Sequence, residues 1–190
     1  MRKIETKDSK AKSDNIKKIA LGIFMVIILI ISTAGYAFYN TGEDSEDTDN
    51  KLTLNGVEFL RLENNYWYFS KNDNEFYTRY NPEETENITI PIVRLESYTG
   101  KNLYFASENS LAKSEIYQNM KFFIDKTQDV CFFENCTEDL PYKNCTDNII
   151  IIKYSENIEI SKEENCILIN APSSEILRAS DAFIYKVLGV

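Results

Sequence analysis

The hydrophobic pattern of the chain changes character twice. Ile19–Tyr39 (IALGIFMVIILIISTAGYAFY) runs for twenty-one residues without a charge. A helix rising about 1.5 Å per residue crosses a hydrocarbon core of about 30 Å with roughly 20 residues, so this stretch predicts a single membrane span. From Lys51 onward the apolar segments are short and alternating. Leu52-Thr53-Leu54 and Val57–Leu62 flank Asn55-Gly56, the strongest short hairpin signal. Glu63-Asn64-Asn65 turns into Tyr66-Trp67-Tyr68-Phe69, and Lys71-Asn72-Asp73-Asn74 turns into Glu75–Tyr80, which Asn81-Pro82 closes. Ile88–Val93 is a fifth extended piece, and Pro91 sets it at an edge or outside the sheet. Together these segments predict an antiparallel β-meander over residues 51–93.

Residues 103–190 mix the two periods. Leu103–Ala106 reads as a strand, and Asn109 or Ser110 caps a helix running to about Lys126, with Ile116, Met120, Phe123 and Ile124 at helical spacing. Val130–Phe133 returns to strand, giving a β-α-β unit expected to be parallel with a right-handed crossover. Ile149–Tyr154 is apolar almost throughout and predicts a central buried strand. Ile158–Ile160 and Cys166–Ile169 are expected to pair across Ser161–Asn165. A last helix starts near Ser173 or Ser174. Its Ile176, Ala179, Phe183 and Val187 form one stripe, joined by Leu177, Ile184 and Leu188, and Gly189 fits its end. The expected fold is α+β, with α/β character in its C-terminal part, over residues 51–190.

Charge orients the span. Residues 1–18 hold seven basic and three acidic side chains, and positive charge is retained on the cytoplasmic side. The N-terminus is therefore expected inside, and residues 40–190 outside the cytoplasm at the cell membrane. Two rivals use the same stretch. Gly35 and Ala37 could serve a signal-peptide cleavage site, and a cut after Lys18 would give a pilin-like subunit. Removing the tail's charges from the chain totals of 21 basic and 30 acidic leaves 14 and 27 beyond Tyr39, a net of −13. Five of these acids fall in Thr41–Asn50, so residues 40–50 read as a solvated acidic tether. An acidic surface argues against nucleic acid, which needs a basic patch.

The four cysteines, Cys131, Cys136, Cys145 and Cys166, all follow the span, and an even number in an exported domain predicts two disulfides. Cys145 and Cys166 lie at or just before strand starts, which favours pairing them and leaves Cys131 with Cys136. The spacings do not make two zinc knuckles, the chain has no histidine, and C-x-x-C is missing, so neither metal nor redox chemistry is expected. Asn87, Asn135 and Asn144 head glycosylation sequons, a number that chance alone gives at this content of Asn, Ser and Thr.

Without histidine, Ser-His-Asp and Cys-His catalysis are excluded, and no glycine-rich phosphate loop occurs. Glu134, Glu138, Asp139 and Asp147 crowd the cysteine loop and could act as acid and base or hold calcium; a solvated acidic loop is the plainer reading. Tyr66, Trp67, Tyr68 and Phe69, with Phe76, Tyr77 and Tyr80, could present an aromatic face to a sugar or a partner. Alternation puts Trp67 and Phe69 on one side and Tyr66 and Tyr68 on the other.

The run Asn165-Cys166-Ile167-Leu168-Ile169, followed by Glu175-Ile176-Leu177-Arg178-Ala179 and Tyr185-Lys186-Val187-Leu188-Gly189 behind a cysteine-bearing loop, resembles uncharacterised archaeal single-span membrane proteins. The resemblance covers residues 103–190 and implies an archaeal cell envelope. That family has no assigned activity, so no functional residue carries over. The expected function is a membrane-tethered binding or scaffolding protein outside the cytoplasm with an envelope protein as partner. No catalytic residue, cofactor or metal is assigned; an envelope hydrolase using the acidic loop and a pilin-like subunit are the alternatives.

Overall fold

A computed structural model of the chain describes residues 50–132 and 139–190, together with Ile23–Val26 and Ile28. These five are helical and exposed; the rest of the expected span Ile19–Tyr39 lies outside the described residues, as do the basic tail and all of the acidic tether but Asn50. Among the described residues no helix is long and apolar enough to cross a membrane. The chain divides into two units, Met1–Glu46 and Asp47–Val190, and the second carries the fold below.

Four strands make an antiparallel meander in sequence order: β1 (Lys51–Leu54), β2 (Val57–Arg61), β3 (Trp67–Lys71) and β4 (Asn74–Thr78). The β1–β2 turn needs positive φ at both central residues, and Asn55 (φ 50°) and Gly56 (φ 79°) tolerate it. Alternation in β3 buries Trp67 and Phe69 and leaves Tyr68 half-buried on the other face. After β4 the chain does not simply turn at Asn81-Pro82. Asn81 Oδ1 accepts from Glu84 N while Glu84 Oε2 accepts from Asn81 N, a capping box that starts the short helix α1 (Pro82–Thr85). Ile88–Val93 joins neither sheet.

The second sheet has five strands: β5 (Leu103–Ser107), β6 (Thr127–Asp129), β7 (Ile149–Tyr154), β8 (Glu159–Glu163) and β9 (Cys166–Ala171), in the order β6-β5-β7-β9-β8. All neighbours are parallel except β8 with β9. Helix α2 (Ser110–Met120) connects β5 to β6, and α3 (Ile176–Leu188) follows β9. Three expected boundaries move. Helix α2 stops at Met120 rather than near Lys126, because Gly100 N donates to Phe123 O and Asp125 N to Lys101 O, drawing the chain back toward β5. The returning strand is therefore Thr127–Asp129; of the expected Val130–Phe133, Cys131 forms an isolated bridge with Tyr142, Val130 and Phe132 lie outside the strands, and Phe133 is outside the described residues. Ser161, Lys162 and Glu163 belong to β8, which tightens the turn to Glu164-Asn165.

Helices α2 and α3 lie between the two sheets. Phe59, Phe69 and Phe76 stand in register across β2, β3 and β4, all buried, with rings 4.9 and 5.0 Å apart. Tyr185 of α3 meets Phe59 at 6.0 Å and Phe69 at 5.7 Å. The same core takes in Phe105, Ile150, Ile152, Ile167 and Ile169 from one face of the second sheet. Ile149 and Ile151 on its opposite face pack with Val130, Phe132 and Cys166. Both faces of β7 are thus covered, which is why its four isoleucines are all buried. Gly189 (φ 68°) ends α3, and Lys71 Nζ donates to the Leu188 and Gly189 carbonyls at 2.8 and 2.6 Å.

Cys145 and Cys166 form a disulfide across a Cα separation of 4.9 Å, tying the loop before β7 to the start of β9. Cys131 is also disulfide-bonded, and Cys136, the partner expected for it, lies outside the described residues. Replacing Cys145 and Cys166 together with serine should cost about 2–4 kcal/mol, read as a lower urea midpoint. An unchanged midpoint would mean that the β7–β9 pairing already fixes this loop in the unfolded ensemble.

Candidate functional site

Strand β4 is an edge of the meander, and an edge strand presents unpaired backbone groups. Here side chains from the helices occupy them. Tyr77 N donates to Asn119 Oδ1 at 2.9 Å, and Asn119 Nδ2 donates to Tyr77 O at 2.7 Å and to Glu115 O at 2.9 Å. The buried carboxamide thus stands in for a neighbouring strand. One step on, Arg79 N donates to Glu115 Oε1 at 2.9 Å and to Asp181 Oδ2 at 3.0 Å, and Tyr80 N donates to Asp181 Oδ2 at 2.9 Å. Tyr185, bonded to Thr78 Oγ1, donates its hydroxyl to Tyr80 O and completes the attachment.

Glu115 from α2 and Asp181 from α3 converge on the Arg79 amide, which donates to both and so brings two carboxyls together in a buried place. Asp181 Oδ1 is buried without a hydrogen-bond partner among the described residues, which disfavours a charge on that oxygen. Burial, then the Glu115 charge, push the Asp181 carboxyl well above the usual range, against the pull of the Tyr80 and Arg79 amides. Burial raises Glu115 as well, but its bonds to Asp181 and Arg79 oppose the rise.

Glu115 also lines a cleft of about 450 Å3 between α2 and the outer side of β4. Arg79 lies over the Tyr66 ring at 5.1 Å, with its Nε 3.8 Å from Glu115 Oε2. Tyr77 forms a wall; its ring is 5.4 Å from that of Tyr68, and its hydroxyl donates to Glu75 Oε2 at 3.1 Å. Partial burial and the Glu75 carboxylate hold the Tyr77 phenol above its usual value, so it remains a hydroxyl. From α2 come Leu111 and Gln118, and just beyond it Lys121 and Phe122. Leu111 and Phe122 are 57% and 52% exposed, unusually open for such residues.

No family model, curated protein or solved structure matches the chain. The reading therefore rests on geometry.

The residues singled out from sequence divide sharply. Of the acidic loop, Glu134 and Glu138 lie outside the described residues, and Asp147 is held by Lys143 Nζ at 3.2 Å. Among the described residues no histidine, cysteine and acidic groups are gathered for a metal ion. Trp67, Phe69 and Phe76 are core, whereas Tyr66 and Tyr77 reach the cleft. Asn87 and Asn144 are exposed: Asn87 Oδ1 accepts from Arg178 Nη1 at 2.8 Å, and Asn144 Oδ1 from Thr146 N at 3.1 Å. Asn135 lies outside the described residues. Sequence reasoning missed Glu115, Asn119 and Asp181. A signal existed, since Asp181 interrupts the Leu177–Ile184–Leu188 side of an otherwise apolar stripe.

Proposed function

We propose that this chain is a membrane-tethered binding protein that works outside the cytoplasm and takes its ligand in the cleft between α2 and β4. The observation that carries binding is the composition of that cleft. Tyr66, Tyr77, Phe122 and Leu111 stand among polar side chains, several of them fixed by bonds to one another, so the cleft offers both apolar surface and placed hydrogen-bonding groups. Its acids are engaged: Glu115 with Arg79 and Asp181, and Glu75 with Tyr77. None is placed as a free acid–base pair, which supports binding over hydrolysis. The uncharged run Ile19–Tyr39 behind a basic tail supports the tether.

Both halves are testable on the full-length chain. Protease added to intact cells should cleave the C-terminal part while the N-terminus stays protected, and the chain should resist carbonate extraction. A panel of small metabolites, neutral peptides and oligosaccharides, screened by saturation-transfer NMR, should contain at least one binder whose signal is lost in Tyr77→Ala. A panel without any binder would end the binding reading; release by carbonate would end the tether.

A further inference from the structure

We propose that the cleft between α2 and β4 is a site for a neutral oligosaccharide of two or three sugar units, seated against Tyr77 and Tyr66 and hydrogen-bonded by Gln118, Glu75 and Arg79. The proposal rests on the binding reading above and names its ligand class.

Three features of the cleft select this chemistry. First, its charges cancel. Arg79 and Lys121 oppose Glu75 and Glu115, two charges of each sign. A cleft of balanced charge gives no net attraction to an anion or a cation. Second, its polar groups mix donors with acceptors at short range: a guanidinium, an ammonium, a carboxamide, a carboxylate and a phenol. Sugar hydroxyls donate and accept at once and match such a set. The exposed Tyr77 ring meets the C–H face of a pyranose, a contact that a flat apolar ring offers and an aliphatic wall does not, with Tyr66 beside it under Arg79.

Third, the structure disfavours the main rival, an extended peptide. A peptide would add as a strand to the β4 edge, where main-chain hydrogen bonds supply the affinity. From Tyr77 onward those bonds are already taken. Asn119 holds both backbone groups of Tyr77, and Glu115 and Asp181 hold the N–H groups of Arg79 and Tyr80. What the edge leaves open is side-chain surface, and a ligand read through side chains alone fits it. A volume of about 450 Å3 suits a short oligosaccharide.

The test uses full-length protein in a phosphocholine detergent, because maltoside headgroups are themselves sugars. Cellotriose, maltotriose and triacetylchitotriose are titrated beside a blocked neutral tripeptide, followed by saturation-transfer NMR and calorimetry. At least one trisaccharide should bind. Tyr77→Ala should weaken it about tenfold or more, and Tyr77→Phe should keep it within about threefold, since the ring carries the contact. Near-ultraviolet circular dichroism checks that each variant keeps its packing. If the tripeptide binds and loses affinity in Tyr77→Ala while every sugar fails, the sugar assignment falls and the binding reading stands. If nothing binds, both fall. Sugar binding that is indifferent to Tyr77→Ala would place the site elsewhere and overturn the proposal.

Discussion

Asp181→Ala should destabilise the Asp47–Val190 unit by about 3–5 kcal/mol, whereas Asp181→Asn should be far milder and should flatten the dependence of stability on pH. Asp181 is fully buried and accepts from Arg79 N and Tyr80 N, and burial together with the Glu115 charge raises its carboxyl. Alanine leaves Tyr80 N without its acceptor. Asparagine has the shape of the protonated acid, and its Oδ1 accepts from the two amides. The pH effect follows from the direction of the shift. Asp181 holds its proton in the folded state at pH values where the unfolded chain has lost it. The contribution of Asp181 to stability is therefore fully present below the ordinary Asp value of about 4 and declines as pH rises toward the elevated folded value, by at most about 1.4 kcal/mol per unit. Above that value the decline stops. Urea midpoints from pH 5 to 9 should fall more steeply for the natural chain than for Asp181→Asn, about as far as the variant's neutral side chain removes one titrating group. Parallel curves would show that the fold does not raise the Asp181 carboxyl.

Much of this arrangement could be read along the chain wherever local chemistry and tertiary need coincide. Asn55-Gly56 supplies the two positive φ angles of the first hairpin, so the turn and its register follow from two residues. Trp67 and Phe69 alternate with Tyr66 and Tyr68, and the pleat separates core from cleft accordingly. The run of isoleucines from Ile149 marks the central strand because both its faces are covered. The pattern misleads where a long-range contact outweighs it. Phe123 continues the helical spacing of Ile116 and Met120, yet it leaves the helix and stacks 6.2 Å from Phe76. Thr127-Gln128-Asp129 has no strand signature because β6 is an exposed sheet edge, held by pairing with β5 alone. The cleft itself is the hardest to see. Its walls come from Tyr66, Tyr77 and Arg79 in the meander and Gln118 in α2, distant in sequence and joined only by the packing of α2 against β4. Periodicity assigns a face to each element. It does not say which faces meet.

The coupling between core and cleft gives the second large effect. Phe69→Ala should cost about 3–5 kcal/mol, measured as a shift of the urea midpoint at unchanged slope. Its ring is fully buried between Phe59 and Phe76, and Tyr185 of α3 packs on it at 5.7 Å. No backbone shift of a single strand can fill that space, because β3 is paired on both sides, so the cavity persists and adds to the lost transfer energy. Phe69→Leu keeps most of the volume and should cost about half as much or less. The loss reaches beyond the core. The same interface that Phe69 fills holds the meander against α3, while Asn119 and Glu115 hold β4 against α2, so the cleft keeps its width only while both attachments stand. In Phe69→Ala, ligand affinity at the cleft should therefore fall although Phe69 does not line it, and the Tyr77 amide should exchange with solvent faster. A cost below about 1 kcal/mol would mean that the meander folds apart from the helices, and the cleft could not then be a rigid site.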